Sequence, residues 1–236
     1  MNNNSKKMKT IGILGGVGPQ ATVNFEEHIH LASQQLIPPL FNSGYPPMIV
    51  FYHRYAPIQI NKDLTPVFPI QPDQGLLKAA KRLGEMADFL VIPSNGVHAI
   101  QKEIEQAAGR KVLSIIDATM DEVNKRKWTK VGVIGYKNAM VYTRRLEEMG
   151  IEFETISKEL QEKLDESIMK VMEGRDEVSD RTLVKTIIDE FRARKVDGII
   201  PGCTEIPLML GENMNSEDLV NPAKLLATAA VKHSLS

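Results

Sequence analysis

Ile11-Gly12-Ile13-Leu14-Gly15 and Val131-Gly132-Val133-Ile134-Gly135 are two versions of one phrase, set about half a chain apart. Each is a short apolar run closed by glycine, the pattern of a strand buried on both faces that ends in a tight turn. A helix-like stretch follows each, about Gln20 to Leu36 and then Ala139 to Met149, and Pro19 suits the first turn of the first helix. A second pair of phrases strengthens the first. Leu90-Val91-Ile92-Pro93-Ser94-Asn95-Gly96-Val97-His98 is echoed by Ile199-Ile200-Pro201-Gly202-Cys203-Thr204-Glu205. In both, an Asp stands six positions upstream, Asp88 before Ser94 and Asp197 before Cys203.

Working outward, further strands are predicted at Met48 to Tyr52, Phe89 to Ile92, Val112 to Ile116, Glu152 to Thr155 and Gly198 to Ile200. Helices are predicted at Gln74 to Glu85, Val97 to Ala108, Ala118 to Lys127, Ser157 to Glu173, Asp180 to Lys195 and Pro222 to His233. Ala56 to Asp73, with four prolines, reads as irregular. Strands alternating with helices imply an α/β fold with parallel sheets, and the restart implies two such sheets. Ligands of open α/β sheets bind beyond the carboxyl ends of strands, where Gly15, Ser94 and Cys203 are expected.

Composition narrows the function. The 236 residues are 42% hydrophobic and 25% charged with a formal net charge of -1, so nothing points to nucleic acid or to a strongly charged partner. No apolar run approaches the ~18 residues that span a bilayer. Met1 to Lys9 is polar and basic with no apolar core behind it, unlike a secretory signal. Residues 1–7 read as a disordered extension, with Met8 as an alternative start. A lone cysteine makes no internal disulfide and fits a reducing cytoplasm.

The chemistry centres on the two strand ends. Cys203 follows Pro-Gly and opens a turn or helix, a position expected to lower the thiol pKa and expose the sulfur; the alternative is a small buried hydrophobe. Ser94 is a poor base unless activated, and His98, four residues on, would share its helix face. The alternative for Ser94 is a helix N-cap. Asn95 can donate its amide to a carboxylate. Arg54, after the second strand, is either a carboxylate clamp or a solvated surface arginine. Gly16-Val17-Gly18 with Ala21 fits the dinucleotide fingerprint, but the second strand ends near Tyr52-His53-Arg54 without the required acid. The turn is better read as N–H groups that hold an anion such as a carboxylate. His28 and His30 lie two apart on one helix and face different ways, so they make no metal site.

These residues resemble the aspartate/glutamate racemase superfamily, the pyridoxal-phosphate-independent amino-acid racemases. Ile11 to Pro19 is similar to the family's opening GILGGMGP, Gly202-Cys203-Thr204-Glu205-Ile206-Pro207-Leu208 to its second catalytic motif GCTEIPLL, and Asn221-Pro222 with Leu225-Leu226-Ala227 to its closing segment. The resemblance implies two pseudo-symmetric Rossmann-like lobes with an active site between them. The lobes are then expected at 8–112, with 213–236 returning to pack on it, and at 113–212. It also implies a small-molecule amino-acid substrate, no cofactor, no metal, no nucleic acid, no membrane, and a cytoplasmic homodimer.

The resemblance further implies proton transfer at Cα, with Cys203 as acid/base and Ser94 on the opposite face. Gly16, Val17, Gly18, Arg54, Asn95, Gly96, Thr204 and Glu205 are then expected to bind substrate, with His98 in support. The chain departs from the pattern where the first motif, usually CNT-x-H, reads Ser94-Asn95-Gly96-Val97-His98. Family members with a hydroxyl residue at one arm can still racemise, with a bias towards one enantiomer. Other expectations stay open: a one-cysteine decarboxylase or lyase on a related dicarboxylate, and a lapsed enzyme that binds a carboxylate.

Overall fold

The computed structural model describes residues 7–62 and 67–236. The extension expected over 1–7 lies outside the described residues except for Lys7, which is exposed. The first half runs β1 (Ile11–Gly15), α1 (Pro19–Leu36), β2 (Met48–Tyr52), α2 (Gln74–Met86) and β3 (Phe89–Val91). A 3-10 turn over Gly96–Ile100, α3 (Gln101–Ala108), β4 (Val112–Leu113) and α4 (Ile115–Lys125) follow. The second half begins with β5 (Lys130–Ile134), a 3-10 turn over Tyr136–Ala139, α5 (Met140–Met149), β6 (Glu152–Glu154), α6 (Lys158–Met172) and α7 (Val178–Ala193). It closes with β7 (Gly198–Pro201), α8 (Glu205–Leu210), a 3-10 turn over Gly211–Asn215 and α9 (Pro222–Ser234). No described helix is long and apolar enough to cross a membrane.

The expected α/β fold with two parallel sheets is what forms. One sheet has the order β2-β1-β3-β4 and the other β6-β5-β7. Each restart strand is central: β1 pairs in parallel with β2 and β3, and β5 with β6 and β7. Every residue of β1 is buried, which is why it reads as a continuous apolar run. The two upstream aspartates explain their own recurrence. The Asp88 carboxylate accepts from the Thr10 N–H at 2.7 Å, while its own N–H donates to Thr10 O at 3.0 Å. Asp197 does the same to the next central strand, accepting from the N–H groups of Thr129 at 2.6 Å and Lys130 at 2.9 Å. Each clamp fixes register where the strand starts, so that the far end arrives in a set place.

By contacts the chain divides into two compact units. One takes the described residues up to Pro93 with Ala99–Ser114 and Leu226–Ser236; the other takes Ser94–His98 and Ile115–Leu225. The first unit is filled by Ile11, Ile13, Phe25, Ile29, Leu76, Leu83 and Phe89, all at most 1% exposed. The second is filled by Ile134, Leu164, Ile168, Val184, Ile187, Phe191 and Ile199. Each such side chain contributes roughly 1.5–3 kcal/mol of burial.

Three expectations change. The strand expected over Val112 to Ile116 stops at Leu113, and α4 starts at Ile115 instead of near Ala118. The Ile115 N–H donates to His98 Nε2 at 3.2 Å, 17 residues away in sequence, and is lost to a ladder. The helix expected from Val97 is a 3-10 turn as far as Ile100 and becomes α-helical only at Gln101. The turn or helix expected to open at Cys203 is a helix, α8, which starts two residues on at Glu205.

Candidate active site

Cys203 lies between the end of β7 and the start of α8, and is half-buried. Gly202 precedes it because there is no room for more: an added Cβ would stand 3.0 Å from the Tyr142 ring. The thiol donates to Glu205 Oε2 at 2.9 Å, and the Thr204 hydroxyl donates to the same oxygen at 3.2 Å. Glu205 is only 4% exposed. Glu205, expected to bind substrate, therefore faces the thiol. A Cys-x-Glu spacing at a helix start was the signal for this pairing.

The expectation of a lowered thiol pKa is corrected. Burial pushes the Cys203 thiol well up, and the Glu205 charge and hydrogen bond push it further. Backbone N–H groups of Glu205 and Tyr136 bond the sulfur and pull the other way, but do not prevail. Burial likewise raises Glu205, against the hydrogen bonds from Cys203, its own backbone and Thr204. A raised thiol is a scarcer thiolate but a stronger base once formed, and the carboxylate at hydrogen-bond distance is the nearest acceptor for its proton.

The Tyr136 N–H reaches the sulfur from an unusual turn. Lys137, Asn138 and Ala139 take φ values of 47°, 58° and 43°, all left-handed. Such residues cost of order 1 kcal/mol each. The turn is braced by Asp165, which accepts from the Lys137 N–H at 3.0 Å, and by Gln161, which donates to Gly135 O at 2.9 Å.

Ser94 stands beyond the end of β3 and groups with the unit that carries Cys203. Its hydroxyl caps no helix among the described residues, and the turn that follows is 3-10. His98 does not reach that hydroxyl. Its Nδ1 lies 2.9 Å from Ser94 O, and its Nε2 accepts from the Ile115 N–H at 3.2 Å. A carbonyl can only accept and an N–H can only donate, so Nδ1 carries the proton and both ring nitrogens are occupied. His98 thus supports the Ser94 backbone and is not placed to relay a proton from its side chain. Gly96 is exposed, and an added Cβ there would meet nothing within 4 Å.

Asn95 is 3% exposed. Its Oδ1 accepts from the Tyr142 hydroxyl at 2.7 Å, and its Nδ2 has no hydrogen-bond partner among the described residues. Tyr142, which the sequence reading passed over, is fully buried and feels the charge of Cys203. One phenol therefore touches the first motif and interacts with the second.

The remaining expected residues belong to the other unit. Gly16 has φ +90°, and an added Cβ would stand 2.7 Å from the His53 backbone, so only glycine fits. Its N–H donates to Thr22 Oγ1 at 2.9 Å, which corrects the expectation that this amide waits for an anion. Val17 is half-buried and Gly18 is the N-cap of α1. Arg54 is exposed, its guanidinium 4.9 Å from the centre of the Tyr52 ring. Among the described residues no three His, Cys, Asp or Glu side chains gather as a metal site would require.

The chain has two parallel sheets, with a thiol just past the end of one strand and a hydroxyl just past the end of another. The family model for Asp/Glu/hydantoin racemases matches residues 14–230, and the chain belongs to that family. It is 24% identical over 230 residues to the broad specificity amino-acid racemase RacX of Bacillus subtilis, across 96% of this chain and 98% of that one. Its fold is similar to an aspartate racemase from Picrophilus torridus, with a TM-score of 0.78, 21% identity and coverage of 96% and 94%. An aspartate racemase homologue from Pyrococcus horikoshii gives a TM-score of 0.75 at 23% identity, covering 97% of this chain and 100% of that one.

Proposed function

We propose that this protein is an amino-acid racemase acting on aspartate or glutamate without pyridoxal phosphate or metal. Cys203 moves the proton on one face of Cα, and Ser94 serves the other. The observation that carries the reading is the Cys203–Glu205 pair, a thiol bonded at 2.9 Å to a buried carboxylate at a strand end. Ser94 is favoured as the second arm by its neighbour, since Tyr142 bonds Asn95 and its ring lies near Gly202, the residue before Cys203.

The step balances with groups of one unit. The thiol proton passes to Glu205, the thiolate takes the Cα proton, and the carbanion takes a proton on its other face from the Ser94 hydroxyl. Solvent then returns a proton to Ser94 and Glu205 gives the one it took back to solvent, so every group ends as it began. In the opposite direction Ser94 must receive, and an alcohol ionises far less readily than a thiol whose ordinary pKa is ~8.5. The thiolate held back by burial is the stronger base for a weakly acidic C–H, and positioned acid–base catalysis contributes about 10²–10⁴-fold. Asn95, Gly96 and Thr204 are the groups of this unit proposed to hold the substrate carboxylate while charge develops on it.

The test is incubation of each enantiomer of aspartate and glutamate in deuterated water. Deuterium at Cα with loss of optical activity is expected for at least one substrate. Loss of CO₂ from a dicarboxylate without exchange would replace this reading by a one-cysteine decarboxylase. Binding without either reaction would leave a lapsed enzyme.

A further inference from the structure

We propose that Tyr142 is a positioning residue for this site: its hydroxyl fixes which way the Asn95 amide faces, and so presents an N–H donor beside Ser94. What that donor meets, a substrate carboxylate, rests on the racemase reading. The position itself rests on geometry. Tyr142 lies in the first turn of α5 and is wholly buried. Its O–H donates to Asn95 Oδ1 at 2.7 Å, across 47 residues of sequence. The phenol oxygen stands 3.2 Å from Thr119 Oγ1, which is itself anchored to Ile115 O at 2.7 Å.

With Oδ1 held, the amide cannot turn over without losing that bond. Nδ2 is then left buried with no partner among the described residues. An unpaired buried donor costs roughly 1–3 kcal/mol, and native structures keep one where something outside the chain uses it. The phenol suits the task. Burial raises its pKa, so it stays a donor at neutral pH and above the ordinary tyrosine range. Its ring also packs beneath Gly202, within 3.0 Å of where a Cβ would stand. One side chain thereby bonds the residue after Ser94 and lies near the residue before Cys203, where Ala139 Cβ stands closer still.

The experiment compares the native protein with Tyr142→Phe, Asn95→Ala and the double variant, by α-proton exchange in deuterated water. Tyr142→Phe should raise KM about tenfold and change kcat less, as loss of one hydrogen bond at a binding group does. The double variant should be no worse in KM than Asn95→Ala alone, because the phenol acts through the amide. Additive losses, or a KM within about twofold of native in Tyr142→Phe, would overturn the proposal. A second readout does not need turnover. With ¹⁵N-labelled asparagine, the Asn95 side-chain amide, assigned by its loss in Asn95→Ala, should exchange slowly with water in the native protein. It should exchange at least about tenfold faster in Tyr142→Phe, and unchanged protection would overturn the proposal. If native protein exchanges no α-proton, the racemase reading fails while the amide signal still decides the role of Tyr142. Should Tyr142→Phe not fold, Thr119→Val removes the other anchor of the phenol and should show the same pattern at smaller size.

Discussion

The ends of β3 and β7 start from the same frame and finish differently. Both strands flank a central strand in a parallel sheet, and both are preceded by an aspartate that grips the start of that central strand. Past the last residue the environments part. After β7 the thiol of Cys203 meets a buried carboxylate two residues on. After β3 the hydroxyl of Ser94 has no such partner, and the nearby imidazole is spent on backbone groups. The frame therefore delivers two side chains to comparable places, and what stands next to each decides its reactivity. One end is a thiol bonded to a buried carboxylate, and the other is a hydroxyl without one among the described residues.

The strongest way to break this contrast is to remove the thiol. Cys203→Ala should cut α-proton exchange by about a thousandfold or more. Its melting temperature should stay within about 5 °C of native, since a half-buried thiol contributes little packing. Exchange that survives in a folded Cys203→Ala would end the assignment of roles.

Making the two ends alike should sharpen the contrast. In the native protein deuterium should enter at least about tenfold faster from one enantiomer than from the other, measured as initial rates by mass spectrometry. Ser94→Cys should narrow that gap. A gap that Ser94→Cys leaves untouched would return Ser94 to a structural role.

The chain has one cysteine, so thiolate absorbance or the rate of alkylation against pH reports Cys203 alone. The midpoint should lie above the ordinary thiol value of ~8.5 and fall in Glu205→Gln, because the carboxylate charge is among the causes that raise it. The sign for stability follows. A folded-state pKa raised above the unfolded one gives a contribution that is complete below about 8.5 and is lost as pH rises through the folded value. Cys203→Ala should therefore flatten the alkaline side of the stability curve. An unshifted midpoint in Glu205→Gln would show that the pair is not coupled.

The frame itself has an asymmetry to test. Asp197 accepts three hydrogen bonds from Thr129 and Lys130, and Asp88 accepts one from Thr10. Asp197→Ala should cost roughly 2–3 kcal/mol in urea unfolding and Asp88→Ala about 1 kcal/mol. The N–H groups that bond Asp197 hold its carboxyl below the usual range, so its contribution is present above the unfolded pKa and lost as pH falls through the lower folded value. Equal costs for the two substitutions would mean the extra bonds are idle. The smallest effect expected is at the left-handed turn, where Lys137→Gly should stabilise by about 0.5–1 kcal/mol by removing a positive-φ side chain. A loss of stability there would show that Lys137 makes contacts that outweigh the strain.

The periodic and repetitive features were legible from residues alone. β1, β2, β5 and β7 lie within a residue or so of their expected places, since a strand buried on both faces must be apolar throughout. Ser94 and Cys203 could be singled out because duplication marks equivalent positions. The short β4 could not, because Val112 to Ile116 is as apolar as a strand and only His98, far along the chain, takes the amide that ends it. The thiol pKa was misjudged for a related reason. Position at a strand end is a local property, but desolvation depends on everything that covers the sulfur.

What the sequence determined by itself was the two-sheet α/β plan, the family and the two strand ends that carry thiol and hydroxyl. These depend on short patterns read within a few residues. Only the tertiary structure decided that Glu205 turns to the thiol, that His98 is occupied by backbone, and that Tyr142 joins Asn95 to the neighbourhood of Cys203. Such contacts form between residues whose types are ordinary and whose separation along the chain is arbitrary. Only the packing of helices on sheets brings a tyrosine and an asparagine 47 positions apart to 2.7 Å.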